Sequence, residues 1–114
     1  MQGYLPRIAE KEVANKLNSN PIAAILGPRQ AGKTTLALEI IKSYNKAVHL
    51  DLESPSDLNK LEDPEAYFSM HRDSLVVIDE IQKKPELFPI LRVIADRHGK
   101  NGQFLILGLA SPPL

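Results

Sequence analysis

The stretch GPRQAGKTTLA, residues 27–37, follows the short apolar run PIAAIL at 21–26 and opens a segment where Leu36, Ile40 and Ile41 recur at helical spacing. An apolar run without polar alternation fits a strand covered on both faces, as strands of a parallel sheet are. The order is therefore strand, glycine-bounded loop, helix. Gly27, Gly32, Lys33 and Thr34 satisfy the spacing G-x-x-x-x-G-K-[ST], and that context is the one the pattern requires.

The physics of anion binding explains the spacing. A loop of this length turns consecutive N–H groups inward around a phosphate. Glycines at its two ends permit backbone angles or approaches that a Cβ forbids. The positive end of the following helix faces the same phosphate. Lys33 adds a full charge for the β- and γ-phosphates, and Thr34 offers a hydroxyl oxygen to Mg²⁺, a hard cation. The candidate nucleotide-binding residues are Gly27, Pro28, Arg29, Gln30, Ala31, Gly32, Lys33, Thr34 and Thr35, with no separate role assigned to Arg29. The competing reading is a glycine turn beside a solvated lysine, but the full pattern in this context is rare.

Outward from the loop, apolar runs alternate with amphipathic stretches. Ile8, Val13 and Leu17 share a helical face over 8–17, and a helix is expected over 33–43. Strands are expected at 22–26, 47–52, 75–78 and 104–107. The segment 54–71 reads as helical in pieces, capped by Ser54 or Ser56 and by Asp63 before Pro64. Pro85 is expected to open a helix reaching His98, with Gly99 past its end. No hairpin signal separates the strands, so the class is α/β with a mainly parallel sheet.

The run LVVIDEIQ at 75–82 ends a buried strand with two carboxylates. Ligands of open α/β sheets bind beyond the carboxyl ends of strands. Asp79 is thus the second candidate Mg²⁺ ligand beside Thr34. Glu80 is the candidate base that polarises a water, with Lys33 as its catalytic partner on the phosphates. Gln82 is a weaker candidate for orienting that water or contacting the γ-phosphate. Asp51, at another strand end, reads as a loop-capping carboxylate. His49, His71 and His98 have no metal-ligand spacing and read as ordinary surface or half-buried histidines, and Lys83 and Lys84 as a solvated pair.

Composition bounds the rest. The 114 residues allow one domain, 43% are apolar, and 14 basic residues balance 14 acidic ones. No charge surplus points to nucleic acid or to an anionic membrane. There is no cysteine, which excludes disulfides and thiolate chemistry. No apolar run approaches the roughly 20 residues of a membrane span. MQGYLPRIAEKEV lacks a signal-peptide core, so a cytoplasmic location is expected.

Taken together, GPRQAGKTTL, LDLESP, LVVIDEIQKKPELFPILR and FLILGLASP resemble the bacterial and archaeal AAA+-like ATPases that join an N-terminal ATPase domain to a C-terminal nuclease-like domain. The resemblance implies a P-loop sandwich with Walker A at 27–35, Walker B at Asp79 and Glu80, and Mg²⁺–ATP as the ligand. It implies the strand order 5-1-4-3-2, of which four strands, 1-4-3-2, are expected here, behind a helical segment at 1–20 and within a core at 21–114. Such proteins usually carry a polar residue after the fourth strand, where this chain has Leu109. A fifth strand, a second sensor and an arginine finger are not assignable, so a truncated module with weak hydrolysis is expected. The terminal SPPL reads as a connector, and the open edge at 22–26 invites strand pairing or homo-oligomerisation. A small-molecule kinase and a non-catalytic remnant are the alternatives. A kinase needs an acceptor pocket and an arginine-bearing lid, where this chain has the plain amphipathic stretch KKPELFPILRVIADRHG.

Overall fold

Four parallel strands, ordered β1-β4-β3-β2, form the spine of the computed structural model, which describes residues 4–28 and 32–109 and, for residues 4–6, the backbone alone. The elements are α1 (Tyr4–Ser19), β1 (Ile22–Leu26), α2 (Lys33–Ile41), β2 (Ala47–Asp51), α3 (Pro55–Lys60), α4 (Pro64–Met70), β3 (Leu75–Asp79), a 3₁₀ turn at Ile81–Lys83, α5 (Leu87–His98) and β4 (Phe104–Gly108). This is the α/β fold and strand order expected of a P-loop nucleotide-binding protein.

Strand parity sorts the core into two layers, because successive side chains point to opposite faces. Leu75, Val77, Leu105, Leu107 and Ala23 face α1 and α2, where they bury Leu17, Ala37 and Ile40. Val76, Ile78, Phe104, Ile106 and Leu50 face the other way, against Phe68 and against Leu87, Leu91 and Ile94 of α5. All five residues of β3 and of β4 are buried, as their unbroken apolar runs require. At the sheet edge, β1 pairs only with β4 among the described residues, and Leu26 is 55% exposed.

The helix boundaries follow local chemistry. Ser54 and Asp63 accept the N–H of Asp57 and Ala66, each with proline at the next position, as the sequence predicts. The first helix begins at Tyr4 and not near Ile8; Pro6 sits in its first turn, where the missing N–H has no helical partner to lose. The last helix begins at Leu87. Pro85 instead opens the preceding turn, its carbonyl accepting the N–H of Phe88 at 3.1 Å.

Candidate functional site: the carboxyl ends of the strands

Parallel register brings the carboxyl ends of the strands together. Leu26 pairs with Gly108, Ile78 with Ile106, and Asp51 with Asp79. The loop after β1 therefore lies beside the ends of β4 and β3. Gly32 forms the N-cap of α2 with φ 83°, and its carbonyl accepts the N–H of Leu36 at 2.9 Å. That φ is accessible to glycine and strained for residues with a Cβ. The nest expected from Arg29, Gln30 and Ala31 lies outside the described residues.

Lys33 Nζ donates to the carbonyls of Gly27 and Pro28, 2.7 Å each. The ammonium thereby lies against the two residues that follow β1. Thr34, one residue further along α2, donates its hydroxyl to Asp79 Oδ2 at 2.6 Å. Parity explains the meeting. Asp79 shares the face of Leu75 and Val77, the face α2 covers, so its carboxylate points at the first turn of that helix. Asp79 is itself buried at 6% exposure. A hydroxyl and a carboxylate oxygen at this spacing suit Mg²⁺, which takes one or two protein oxygens and completes its shell from phosphate and water. Thr35 is exposed beside them.

Glu80 follows directly, at φ 61°, and its Oε1 accepts a 2.5 Å bond from Gln82 Nε2. The carboxylate thus lies beyond the end of β3, among polar groups. Leu109 is at the surface, and its backbone N–H donates to Gln82 Oε1 at 3.2 Å.

One polar neighbour of Asp79 was not singled out by spacing. His49, half-buried on β2, places Nε2 3.5 Å from Asp79 Oδ2; that nitrogen is buried without a hydrogen bond. The signal was parity: in the parallel register His49 and Asp79 share one sheet face. Asp51 does cap a loop, accepting the N–H of Glu53 at 3.0 Å. Its own N–H donates to Asp57 at 2.8 Å, which more than any other contact holds the Asp57 carboxyl below the usual carboxylate range. His71 and His98 lie at the opposite, amino ends of β3 and β4, lining a small crevice with Phe68 and Gln103. Among the described residues no group of three or more His, Cys, Asp or Glu is placed to hold a metal by itself. No helix among them is long and apolar enough to cross a membrane.

The comparison with known families meets this geometry directly. The model of a family described as an AAA domain matches residues 19–114. The chain belongs to that family. An uncharacterized protein of Mycobacterium tuberculosis is 44% identical over 108 residues, covering 95% of this chain and 24% of that protein; one from Mycobacterium bovis matches equally. An uncharacterized protein of Methanocaldococcus jannaschii is 30% identical over 121 residues, covering 89% of this chain and 28% of its own. The chain spans about a quarter of the length of these relatives. An AAA domain is an ATPase-type, nucleotide-binding module, and residues 27–35 and the acidic end of β3 lie within the matched span.

Proposed function

We propose that this AAA domain binds Mg²⁺–ATP at the carboxyl ends of β1 and β3, and that the longer protein of which its relatives are examples hydrolyses it. The observation that carries this is the 2.6 Å contact between Thr34 and Asp79. It joins two residues 45 positions apart, both carrying the hard oxygen atoms that Mg²⁺ prefers. Bound Mg²⁺ supplies charge neutralisation at the β- and γ-phosphates. The chain's own groups do the rest. Arg29, Gln30, Ala31, Gly32 and Thr35 would offer amides and a hydroxyl to the phosphates, with Gly27 and Pro28 leading the chain into the loop. Lys33 exchanges two carbonyl partners for phosphate oxygens, and Glu80 accepts a proton from the attacking water.

Hydrolysis by the 114-residue chain alone is slow in this reading. Leu109 offers no side-chain hydrogen bond at the end of β4, and no arginine is assigned to the transition state, a contribution of about 10³-fold or more in other P-loop enzymes. The reading extends to a cytoplasmic protein in which residues 1–20 lead into the core at 21–114, a nuclease-like domain follows, and the open edge of β1 takes a further strand.

The test is titration with a fluorescent ATP analogue in Mg²⁺. Lys33→Ala removes a charge from beside the phosphates, a charge-assisted contact of about 1.5–3 kcal/mol, so binding weakens roughly 10- to 150-fold. Equal binding by both proteins overturns the assignment. A coupled assay for phosphate transfer to nucleosides and small acids is expected to be negative.

A further inference from the structure

His49 stands beside the candidate Mg²⁺ ligands, and neither the phosphate contacts nor the proton transfer involves it. It lies on β2, at the edge of the sheet opposite β1. Its side chain is 30% exposed, yet Nε2 is buried. The ring therefore leads with Nε2 into the sheet face that carries Asp79. That nitrogen is 3.5 Å from Asp79 Oδ2 and has no hydrogen bond. A buried polar atom left unpaired is destabilising, and its presence at a site calls for an explanation.

Asp79 is the partner within reach. An ionised carboxylate only accepts, so the imidazole meets it with Nε2–H. The other carboxyl that interacts with the ring, Asp57, is already occupied: it accepts the Asp51 N–H at 2.8 Å and pairs with Lys60 at 3.0 Å. Asp79 Oδ2 accepts the Thr34 hydroxyl at 2.6 Å. A carboxylate oxygen has lone pairs for two donors. Ordinary N–H···O distances reach about 3.2 Å, so a shift of a few tenths of an ångström adds the second donor without displacing the first.

We infer that His49 is a positioning residue for Mg²⁺, whose Nε2–H closes on Asp79 Oδ2 when the metal nucleotide is bound. This rests on the proposed reading of the strand ends as a Mg²⁺–ATP site and adds a residue to it. With Oδ2 held by Thr34 and His49 together, the carboxylate cannot rotate freely, and Oδ1 is left for the metal or its water. Ligating carboxylates depend on such outer partners for their orientation. The imidazole itself is a poor Mg²⁺ ligand, because that ion takes oxygen and imidazole suits softer metals. His49 therefore serves the metal through Asp79.

The experiment separates metal from nucleotide. Affinity for a fluorescent, non-hydrolysable ATP analogue is measured in saturating Mg²⁺ and in EDTA, and the ratio of the two reports what the metal contributes. His49→Phe keeps a ring on β2 and removes the donor; His49→Gln offers an amide N–H in place of Nε2–H. His49→Phe is expected to cut the ratio about tenfold, the low end of what losing an outer partner costs a metal site, with the affinity in EDTA unchanged. His49→Gln should recover most of that loss. Equal weakening in both conditions is the mark of a merely structural role and overturns the inference, as does an unchanged ratio in His49→Phe. A second measurement needs no variant. In the wild-type chain labelled with ¹⁵N-histidine and already holding the analogue, added Mg²⁺ should move the His49 ring nitrogens and leave those of His71 and His98 in place. Unmoved His49 nitrogens overturn the inference alone. Failure of the wild-type chain to bind the analogue in either condition overturns it together with the proposed function.

Discussion

Replacing Gly108 by alanine tests whether the end of β4 and the turn after β3 are fitted to each other. Gly108 does not lie at positive φ, so alanine is compatible with the backbone and the cost arises from contacts alone. The new Cβ would stand 2.8 Å from Ile81 Cγ2, well inside the usual 3.5–4.0 Å of carbon contacts. Ile81 is buried at 2% exposure and branched at Cβ, so it has few rotamers to retreat into; overpacking of this kind costs about 1–3 kcal/mol. The second collision, 2.7 Å from Gln82 Oε1, involves the end of a flexible side chain. Gln82 can swing aside, giving up its bonds to Glu80 and Leu109, together about 1 kcal/mol after allowance for solvent. The total expected for Gly108→Ala is about 2–4 kcal/mol in urea denaturation followed by circular dichroism, with an unchanged denaturant slope. In a Gln82→Ala background only the Ile81 collision remains, so the cost should fall by about 1 kcal/mol. Additivity of the two substitutions to within about 0.3–0.5 kcal/mol, or a single-variant cost below about 0.5 kcal/mol, would refute the packing on which the coupling of Gln82 to β4 depends.

Two further outcomes are expected. Phe68→Ala should lower stability by about 3–5 kcal/mol, because the ring is buried at 1% exposure and meets Phe104 edge-on at 5.1 Å; a loss under about 1.5 kcal/mol in the same assay would show that α4 is not seated on the sheet. Asp57→Asn should destabilise the chain at pH 7 and lose that effect in acid. The Asp57 carboxyl is held below its ordinary value first by the Asp51 N–H. Its contribution is therefore complete above the unfolded value of about 3.9 and is lost as pH falls through the lower folded value. A wild-type advantage that is independent of pH between 7 and 3 would contradict this.

The residues disclosed the parts of the fold unequally. Apolar runs located all four strands, and Ser54-Pro55 and Asp63-Pro64 located two helix starts, because each is a local signal. Strand order is different. Four five-residue strands read as nearly interchangeable apolar runs, and nothing in LVVI or FLIL says which lies beside IAAIL. The order 1-4-3-2 was legible only through the likeness of GPRQAGKTTL and LVVIDEIQ to a known family. Helix α1 starts ahead of its sequence signal, because the periodic residues begin at Ile8 and do not mark a first turn that holds Pro6.

The site divides along the same line. Lys33, Thr34 and Asp79 were legible because each sits at a strand or helix end, and end positions converge in any open parallel sheet. His49's contact with Asp79 and the two bonds of Gln82 were not, and for different reasons. His49 reaches Asp79 only because β2 is β3's neighbour and in register with it, so that its parity becomes meaningful once the pairing is known. Gln82 needs more than pairing. Its two bonds depend on the left-handed turn at Glu80, on a glycine at the far end of β4, and on a backbone N–H that carries no sequence signature. The leucine at 109, which looks like the loss of a hydroxyl when side chains are compared, donates its main-chain N–H to Gln82 instead. A substitution at Leu109 that keeps its amide therefore leaves the hydrogen bond to Gln82 in place, whereas proline there would remove the donor and free the Gln82 carbonyl.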